Sequence, residues 1–494
     1  MKNDLKKLLK HSAVYGTGTV LGKLAGFIML PIYTRFLTPE DYGTYQLLVF
    51  TSNIISMVIA VGISHAVLRF YYQYKSKADR NEVISTAMFS HITIFTFSFI
   101  ILFQLSPLFS KLLFSDTQHT LFFRLIFLYL LISSGYEVPL VFIRAQQKST
   151  KFVTISLIRL IISLSLNILF VAILKKGVLG ILYSTIISST LTCLYLSFDT
   201  LKQVHFHFSL QKAREMYKFG APLIISNLGA FILTFSDRYF LKFYGDLSDV
   251  GIYSLGYKFG MLMSFFIIAP FGKIWSAQMF EVADKDDGNE TFKKVFTYLT
   301  LVLVTFGLFL SLFTKDAIRV MSHPDYWDAH KVVPVVVLAY AIYGLYILSV
   351  VGLYVAKRTG LVALITVVAC LSNLLFNYLL ISRFTIMGAA WATVLSFSIR
   401  FLGAHFVSQR IMPITYEWFK ICKLFTLAIL FYLFSRYIDI NNLIPSVVFN
   451  LFLFSAFLAT LYKTDIFTNQ EKKKLLIYIK NPVSGIKKLK SVRS

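Results

Sequence analysis

Residues 332–356 read VVPVVVLAYAIYGLYILSVVGLYVA, an unbroken apolar run without a charged side chain. Crossing a hydrocarbon core about 30 Å thick takes roughly 20 helical residues, so this run suffices for one span. Its apolar residues occupy consecutive positions, as they do in Leu299–Phe313, whereas a membrane β-strand would alternate over about ten residues. Runs of this kind recur along all 494 residues, which are 56% hydrophobic and 16% aromatic with a mean hydropathy of +0.68. A soluble domain cannot hide that much apolar surface, so the chain reads as an all-α polytopic membrane protein.

A hydropathy pass gives about fourteen transmembrane helices, at 13–36, 43–70, 81–107, 119–145, 151–174, 177–201, 215–240, 248–275, 291–314, 330–356, 360–381, 386–409, 417–438 and 442–463. With the N-terminus cytosolic, about 33 Lys and Arg fall on cytosolic segments and flanking turns and about 12 on the other face. Both termini are therefore expected in the cytosol of a multi-pass inner-membrane protein. The N-terminus is basic and then apolar like a signal peptide, but its apolar run contains Lys23 and continues through Pro31 to Arg35 without a small-residue cleavage site, so it is expected to remain as the first span. Much of the net charge of +25 is topological, carried by a basic segment at 1–12 and a basic tail at 464–494 that can lie on anionic membrane lipids. Nucleic-acid binding is not implied. Cys193, Cys370 and Cys422 fall inside spans without metal-ligand spacing and read as small apolar fillers.

The chain repeats. A shift of 208 residues aligns Asp41-Tyr42-Gly43-Thr44-Tyr45 with Asp249-Val250-Gly251-Ile252-Tyr253, and Gly180, Thr185 and Ser188 with Gly388, Thr393 and Ser396. Between them a shift of 210 pairs Lys148 with Arg358 and Asn167 with Asn377. The unit holds six spans, an even number, so two six-helix halves, 13–201 and 215–409, share one orientation about a pseudo-two-fold axis along the membrane normal. A cytosolic linker at 202–214 joins them, and two extra helices at 417–463 lie outside the repeat. Folds of this kind bind substrate between the halves and rock about it.

Four cations interrupt the spans: Lys23, Arg159, Lys258 and Arg400. A charge at bilayer depth costs roughly 2.5–3.5 kcal/mol on insertion scales, so four of one sign imply a lumen built for an anion, and a negatively charged lipid in particular. Guanidinium and ammonium groups in a poorly solvated cavity would hold diphosphate oxygens by charge-assisted hydrogen bonds. The competing readings are snorkelling to the headgroups and pairing with a buried acid. Lys23 and Lys258 sit near mid-span, where snorkelling is hard; Arg159 and Arg400 sit nearer the cytosolic ends. Arg159 shares a polar stripe with Ser156, Ser163 and Asn167, and its repeat mate keeps Thr366, Asn373 and Asn377 but has Ala369 in place of the arginine. Such asymmetry suits a molecule with one anionic head and a dissimilar tail. Secondary contacts are expected from Arg35, Arg238, Asn167 and Asn377, and from Tyr253 and Tyr257, whose rings could stack on sugars. Two carboxyls, Glu137 and Asp237, are candidates for coupling to H+ or Na+. His65, His91 and His405 read as packing residues.

Loops are too short for a catalytic domain, and the chain has no Walker A sequence, no Gly-x-Gly-x-x-Gly opening a βαβ unit and no His-Glu-x-x-His. An enzyme is not expected, nor a cofactor or bound metal.

Tyr15-Gly16 and the stretch Leu30-Pro31-Ile32-Tyr33-Thr34-Arg35-Phe36-Leu37-Thr38-Pro39-Glu40-Asp41-Tyr42-Gly43-Thr44-Tyr45 resemble the start of polysaccharide transporters of the O-antigen flippase type, within the multidrug, oligosaccharidyl-lipid and polysaccharide exporter superfamily. The span count, the two six-span halves and the two extra spans agree with that family. The resemblance implies a bacterial inner-membrane flippase that moves an undecaprenyl-diphosphate-linked oligosaccharide, for O-antigen, capsule or exopolysaccharide, through a cationic cavity by alternating access, with a polymerase and chain-length components as partners. Three alternatives stay open: a lipid II flippase, a multidrug exporter of the same superfamily, which would need acidic lumen groups, and a non-transporting scaffold or polymerase subunit.

Overall fold

The computed structural model describes residues 26–438, 440–466 and 472; Lys23 lies outside the described residues, as do the basic N-terminal segment and most of the tail. Among the described residues every regular element is helical. In chain order these are α1 (Leu30–Phe36), α2 (Pro39–Ala60), α3 (Ile63–Gln73), α4 (Lys77–Phe114), α5 (Thr120–Ala145), α6 (Ser149–Asn167), α7 (Gly177–Val204), α8 (Leu210–Phe235), α9 (Asp237–Tyr244), α10 (Leu247–Gly260), α11 (Ala269–Ala283), α12 (Gly288–Met321), α13 (Ala329–Ser349), α14 (Val351–Val355), α15 (Thr359–Phe376), α16 (Ser382–Ile411), α17 (Trp418–Tyr437) and α18 (Leu443–Lys463).

Among the described residues twelve helical stretches are long and apolar enough to cross a membrane. One of them, Thr359–Ile411, has 53 residues, and at 1.5 Å per residue that is about 80 Å, far more than one crossing needs. Its backbone leaves helical geometry at Thr385 (φ 43°, ψ −121°), so it counts as two spans, as the hydropathy at 360–381 and 386–409 predicts. The expected first span lies largely among residues that are not described.

The chain packs as two compact units. The first takes in the described residues up to Leu255 together with 321–329 and 366–396; the second takes in 256–320, 330–365 and the described residues from 397 onward. In the first, α5 packs against α4 and α7, and Val67 and Phe70 of α3, Ile84 and Met88 of α4, Val138 and Phe142 of α5 and Met216 of α8 form one core cluster. In the second, the two helices outside the repeat, α17 and α18, pack on α12 through Leu424, Phe457, Leu461, Leu308 and Leu312. Helices in lipid gain little from the hydrophobic effect and associate by close packing. Hydroxyls inside such interfaces must be satisfied locally, and Ser90, Ser184 and Thr192 each donate to the carbonyl four residues back.

The repeat is visible as geometry. Thr38 caps α2 by accepting from the Asp41 amide at 3.1 Å, with Pro39 in the first turn, and Asp246, 208 residues later, accepts from the Asp249 amide at 2.8 Å at the start of α10. Gly43 and Gly251 then bring these two helices into contact: a Cβ on Gly43 would overlap the Leu247 carbonyl oxygen, and one on Gly251 would overlap that of Pro39. Further on, π-helical segments follow Asn167 (Ile168–Ile173) and begin at Asn377 (Asn377–Ile381). A Cβ on Gly180 would lie 2.9 Å from the Phe170 carbonyl oxygen, and one on Gly388 would overlap that of Leu380. The widened turn in each half meets the glycine of the helix that follows.

Candidate functional site

Arg159 projects from α6 into a groove between α6 and α7 with a volume of about 430 Å³. The walls are Ile155, Ile158 and Ile162 of α6 and Leu191 of α7, and Tyr195 and Thr192 also line it. The guanidinium lies 4.4 Å from the centroid of the Tyr136 ring and donates to the Ser189 hydroxyl at 3.3 Å. Stacking of this kind contributes about 0.5–2 kcal/mol and fixes the fork in one orientation. No ion pair between Arg159 and a carboxylate occurs among the described residues. Two turns earlier on the same face, Lys151 also lines the groove and pairs with Asp199 at 2.7 Å. Lys151, Ile155 and Arg159 are four residues apart, which puts them in line on a helix. The sequence places Arg159 on a polar stripe with Ser156, Ser163 and Asn167, whereas the groove is lined by the neighbouring Lys151–Ile155–Arg159 row; Tyr136 and Ser189 carry no sequence signal of their own, because each comes from another helix.

Asp237, Arg238 and Tyr253 come together where α8 gives way to α9. The Asp237 carboxylate accepts from the Arg238 guanidinium at 2.5 Å and from the Tyr253 hydroxyl at 2.5 Å. Arg238 is only 1% exposed and lies over the rings of Phe50, Phe235 and Tyr253 at 4.9–5.3 Å. Beside it a neutral network joins α9 to α15: Asn377 donates to Ser236 at 3.2 Å and to Asn373 at 3.1 Å, and Asn373 donates to Ser396 at 3.1 Å. Asn167, the repeat mate of Asn377, accepts from the Tyr33 hydroxyl at 3.0 Å. The asparagines therefore do the same work in both halves, tying the π-helical end to the helix before the Asp-x-Gly-x-Tyr motif.

Glu137 pairs with His91 at 3.2 Å. The Glu137 side chain is 30% exposed while that of His91 is fully enclosed. Arg35 is exposed at the end of α1. In the second unit, Arg400 lies 4.2 Å from the ring of Tyr346 and 5.6 Å from that of Tyr343, and Lys258 is half-buried at the end of α10. Tyr257 accepts from the Tyr340 hydroxyl at 3.2 Å. Tyr253 and Tyr257 are both fully buried in this conformation, so neither presents a ring face to a sugar here. Among the described residues no group of three His, Cys, Asp or Glu is placed to hold a metal ion.

Comparison with solved structures finds the same helical architecture elsewhere. The lipid II flippase MurJ in an inward closed conformation superposes with a TM-score of 0.74 at 14% identity, covering 92% of this chain and 99% of that one. A multidrug resistance MATE family transporter of the MOP superfamily, inward-facing, superposes at 0.64 and 14% identity over 81% and 95% of the two chains. Identities this low establish the fold alone.

Residues 8–275, more than half of the chain, match the polysaccharide biosynthesis protein family, and the chain belongs to it. The probable low-salt glycan biosynthesis flippase Agl15 of Haloferax volcanii is 23% identical over 244 residues, 48% of this chain and 51% of that protein. An uncharacterized membrane protein of Haemophilus influenzae is 27% identical over 275 residues, 53% and 63% of the two. The matched stretch thus spans between half and two-thirds of these relatives.

Proposed function

We propose that this protein is a flippase for a lipid-linked oligosaccharide, moving a polyprenyl-diphosphate glycan between leaflets by alternating access, with undecaprenyl diphosphate as the carrier in a bacterial inner membrane. The observation that carries the reading is Arg159, a guanidinium stacked on Tyr136 about ten residues into a long apolar helix, with no carboxylate paired to it among the described residues. Family membership and the transporter fold support it. On this reading Lys23, Lys258 and Arg400 are the remaining substrate-binding cations, and Arg35 is a secondary contact. Dragging the whole tail through a polar path would forfeit about 0.8 kcal/mol per CH₂, so the tail stays in lipid while the diphosphate and glycan travel. Both termini lie in the cytosol on this reading, and polymerase and chain-length proteins take over the product.

Of the two carboxyls proposed for ion coupling, Glu137 is the better placed. It is partly exposed and shares a hydrogen bond with His91, whereas Asp237 is enclosed and committed to Arg238 and Tyr253. The likeness to MurJ favours lipid II as the second substrate to test. Mass spectrometry of polyprenyl-linked intermediates after depletion of this protein in its host separates the two. Accumulation of a diphosphate-linked oligosaccharide repeat supports the proposal; accumulation of lipid II replaces it; accumulation of neither removes it.

A further inference from the structure

We infer that the groove between α6 and α7 is the lateral site at which the phosphate end of a polyprenyl lipid is held, with Arg159 as its ligand inside the membrane. The inference deepens the flippase reading and rests on it.

Three observations converge on that occupant. The first is chemical complementarity: an apolar trough of Ile155, Ile158, Ile162 and Leu191 ends on a guanidinium that stacks on Tyr136 and spends one donor on Ser189, with further N–H groups to offer. Hydrocarbon and phosphate are what such a groove takes together. The second is access. Ile158, Leu191 and Tyr195 are 53%, 48% and 53% exposed, so the groove opens along the outside of the helix pair, where a lipid can enter without crossing the packed core. At about 430 Å³ it is the size of a small-ligand site, enough for a head and the first part of a chain but not for a long isoprenoid, whose remainder would stay in the bilayer.

The third observation is the position of Arg159 along α6. Arg159 is ten residues into α6, about 15 Å along its axis from the helix start. A resident headgroup and a lipid in transit would both offer this guanidinium a phosphate, and competition between the two lipids separates them. Lys151 lies two turns nearer the helix start, about 12 Å away by the same rise, with Asp199 as its resting partner. The two cations form consecutive stations for an anion moving along the helix, the first paired with a carboxylate and the second with none among the described residues. The repeat mate of Arg159 is Ala369, so the second half offers no equivalent station.

The test uses the full-length protein in phosphatidylcholine vesicles with a polyprenyl diphosphate carrying a diazirine on its first isoprene units. After irradiation, peptide mapping should find the label on α6 and α7. Unlabelled polyprenyl diphosphate should compete it away, and phosphatidylglycerol at the same concentration should not. Arg159→Gln should lower labelling about tenfold, the loss of one charged hydrogen-bonding partner, and Arg159→Lys should recover part of it. Ile158→Trp, which fills the trough and leaves the guanidinium, should lower it as well, so the result does not depend on one variant folding. Label mapped only to other helices overturns the groove and leaves the flippase reading standing. Equal competition by phosphatidylglycerol overturns it in favour of a resident anionic lipid. No competable label anywhere overturns both readings.

Discussion

Gly43 and Gly251 stand 208 residues apart in the chain and touch reciprocally: each would drive a Cβ into the carbonyl oxygen at the start of the other's helix, Leu247 for Gly43 and Pro39 for Gly251. Pro39 and Leu247 are themselves repeat mates. A contact in which i meets j′ and j meets i′ is the signature of a two-fold relation, here within one chain. The resemblance that points to the family begins in this segment, and its residues have structural roles: Thr38 and Asp41 cap the helix, Tyr42 packs edge-on against Tyr326 at 6.1 Å, and Gly43 lets α10 approach.

Alanine at either glycine should therefore cost about 1–3 kcal/mol through backbone overlap that no rotamer can relieve. Melting of the detergent-solubilised protein checks this. Because the two sites share one interface, the double variant should lose clearly less than the sum of the single losses; strict additivity would mean that the two glycines do not act on the same crossing.

Replacing Arg159 tests the proposed transport role. Arg159→Gln should reduce transport of the lipid-linked substrate at least tenfold at unchanged membrane abundance, and Arg159→Lys should be intermediate, since an ammonium keeps the charge but neither stacks flat on Tyr136 nor binds two oxygens at once. Normal transport by Arg159→Gln would remove this residue from the path.

Asp237→Asn leaves the buried Arg238 guanidinium without its carboxylate, and breaking such a pair typically costs 3–5 kcal/mol. Low membrane levels and early melting are expected. Pairing that change with Arg238→Met should recover most of the stability, because replacing both charges by apolar groups is often neutral. Failure of the double variant to recover would assign Arg238 a contribution beyond the pair.

Glu137→Gln addresses coupling. The amide should keep the bundle intact while abolishing the response of transport to an imposed proton gradient, measured in vesicles with and without a pH step. A variant that still responds places coupling elsewhere.

At the membrane edge, Glu417 accepts from Thr297 at 2.8 Å and from Lys420 at 2.8 Å. Burial pushes its carboxyl up, but these hydrogen bonds and the charges of Lys420 and Lys293 outweigh that and leave it below the ordinary glutamate value of 4.5. A depressed folded value means that its contribution to stability is present above the unfolded value, about 4.3, and is lost as pH falls through the folded one. The melting temperature should drop as pH falls below about 4.3, and Glu417→Gln should flatten that part of the curve.

Composition and periodicity alone determined the all-helical membrane class and the 208-residue repeat, and they picked out Arg159, Lys258 and Arg400 as charges within apolar segments, because each of these is written in residues near one another along the chain. Only the tertiary structure decided what those residues face. Asp237 and Arg238 are neighbours in sequence, yet what makes them a closed unit is the Tyr253 hydroxyl and the Phe50 ring, brought in from two other helices. Arg159 read as a lumen cation, and its actual surroundings, Tyr136 from α5, Ser189 and Leu191 from α7, come from helices whose rotation about their own axes no sequence period specifies. In lipid that rotation is set by which small and polar side chains fit together between helices, a property of pairs of surfaces rather than of either stretch of sequence.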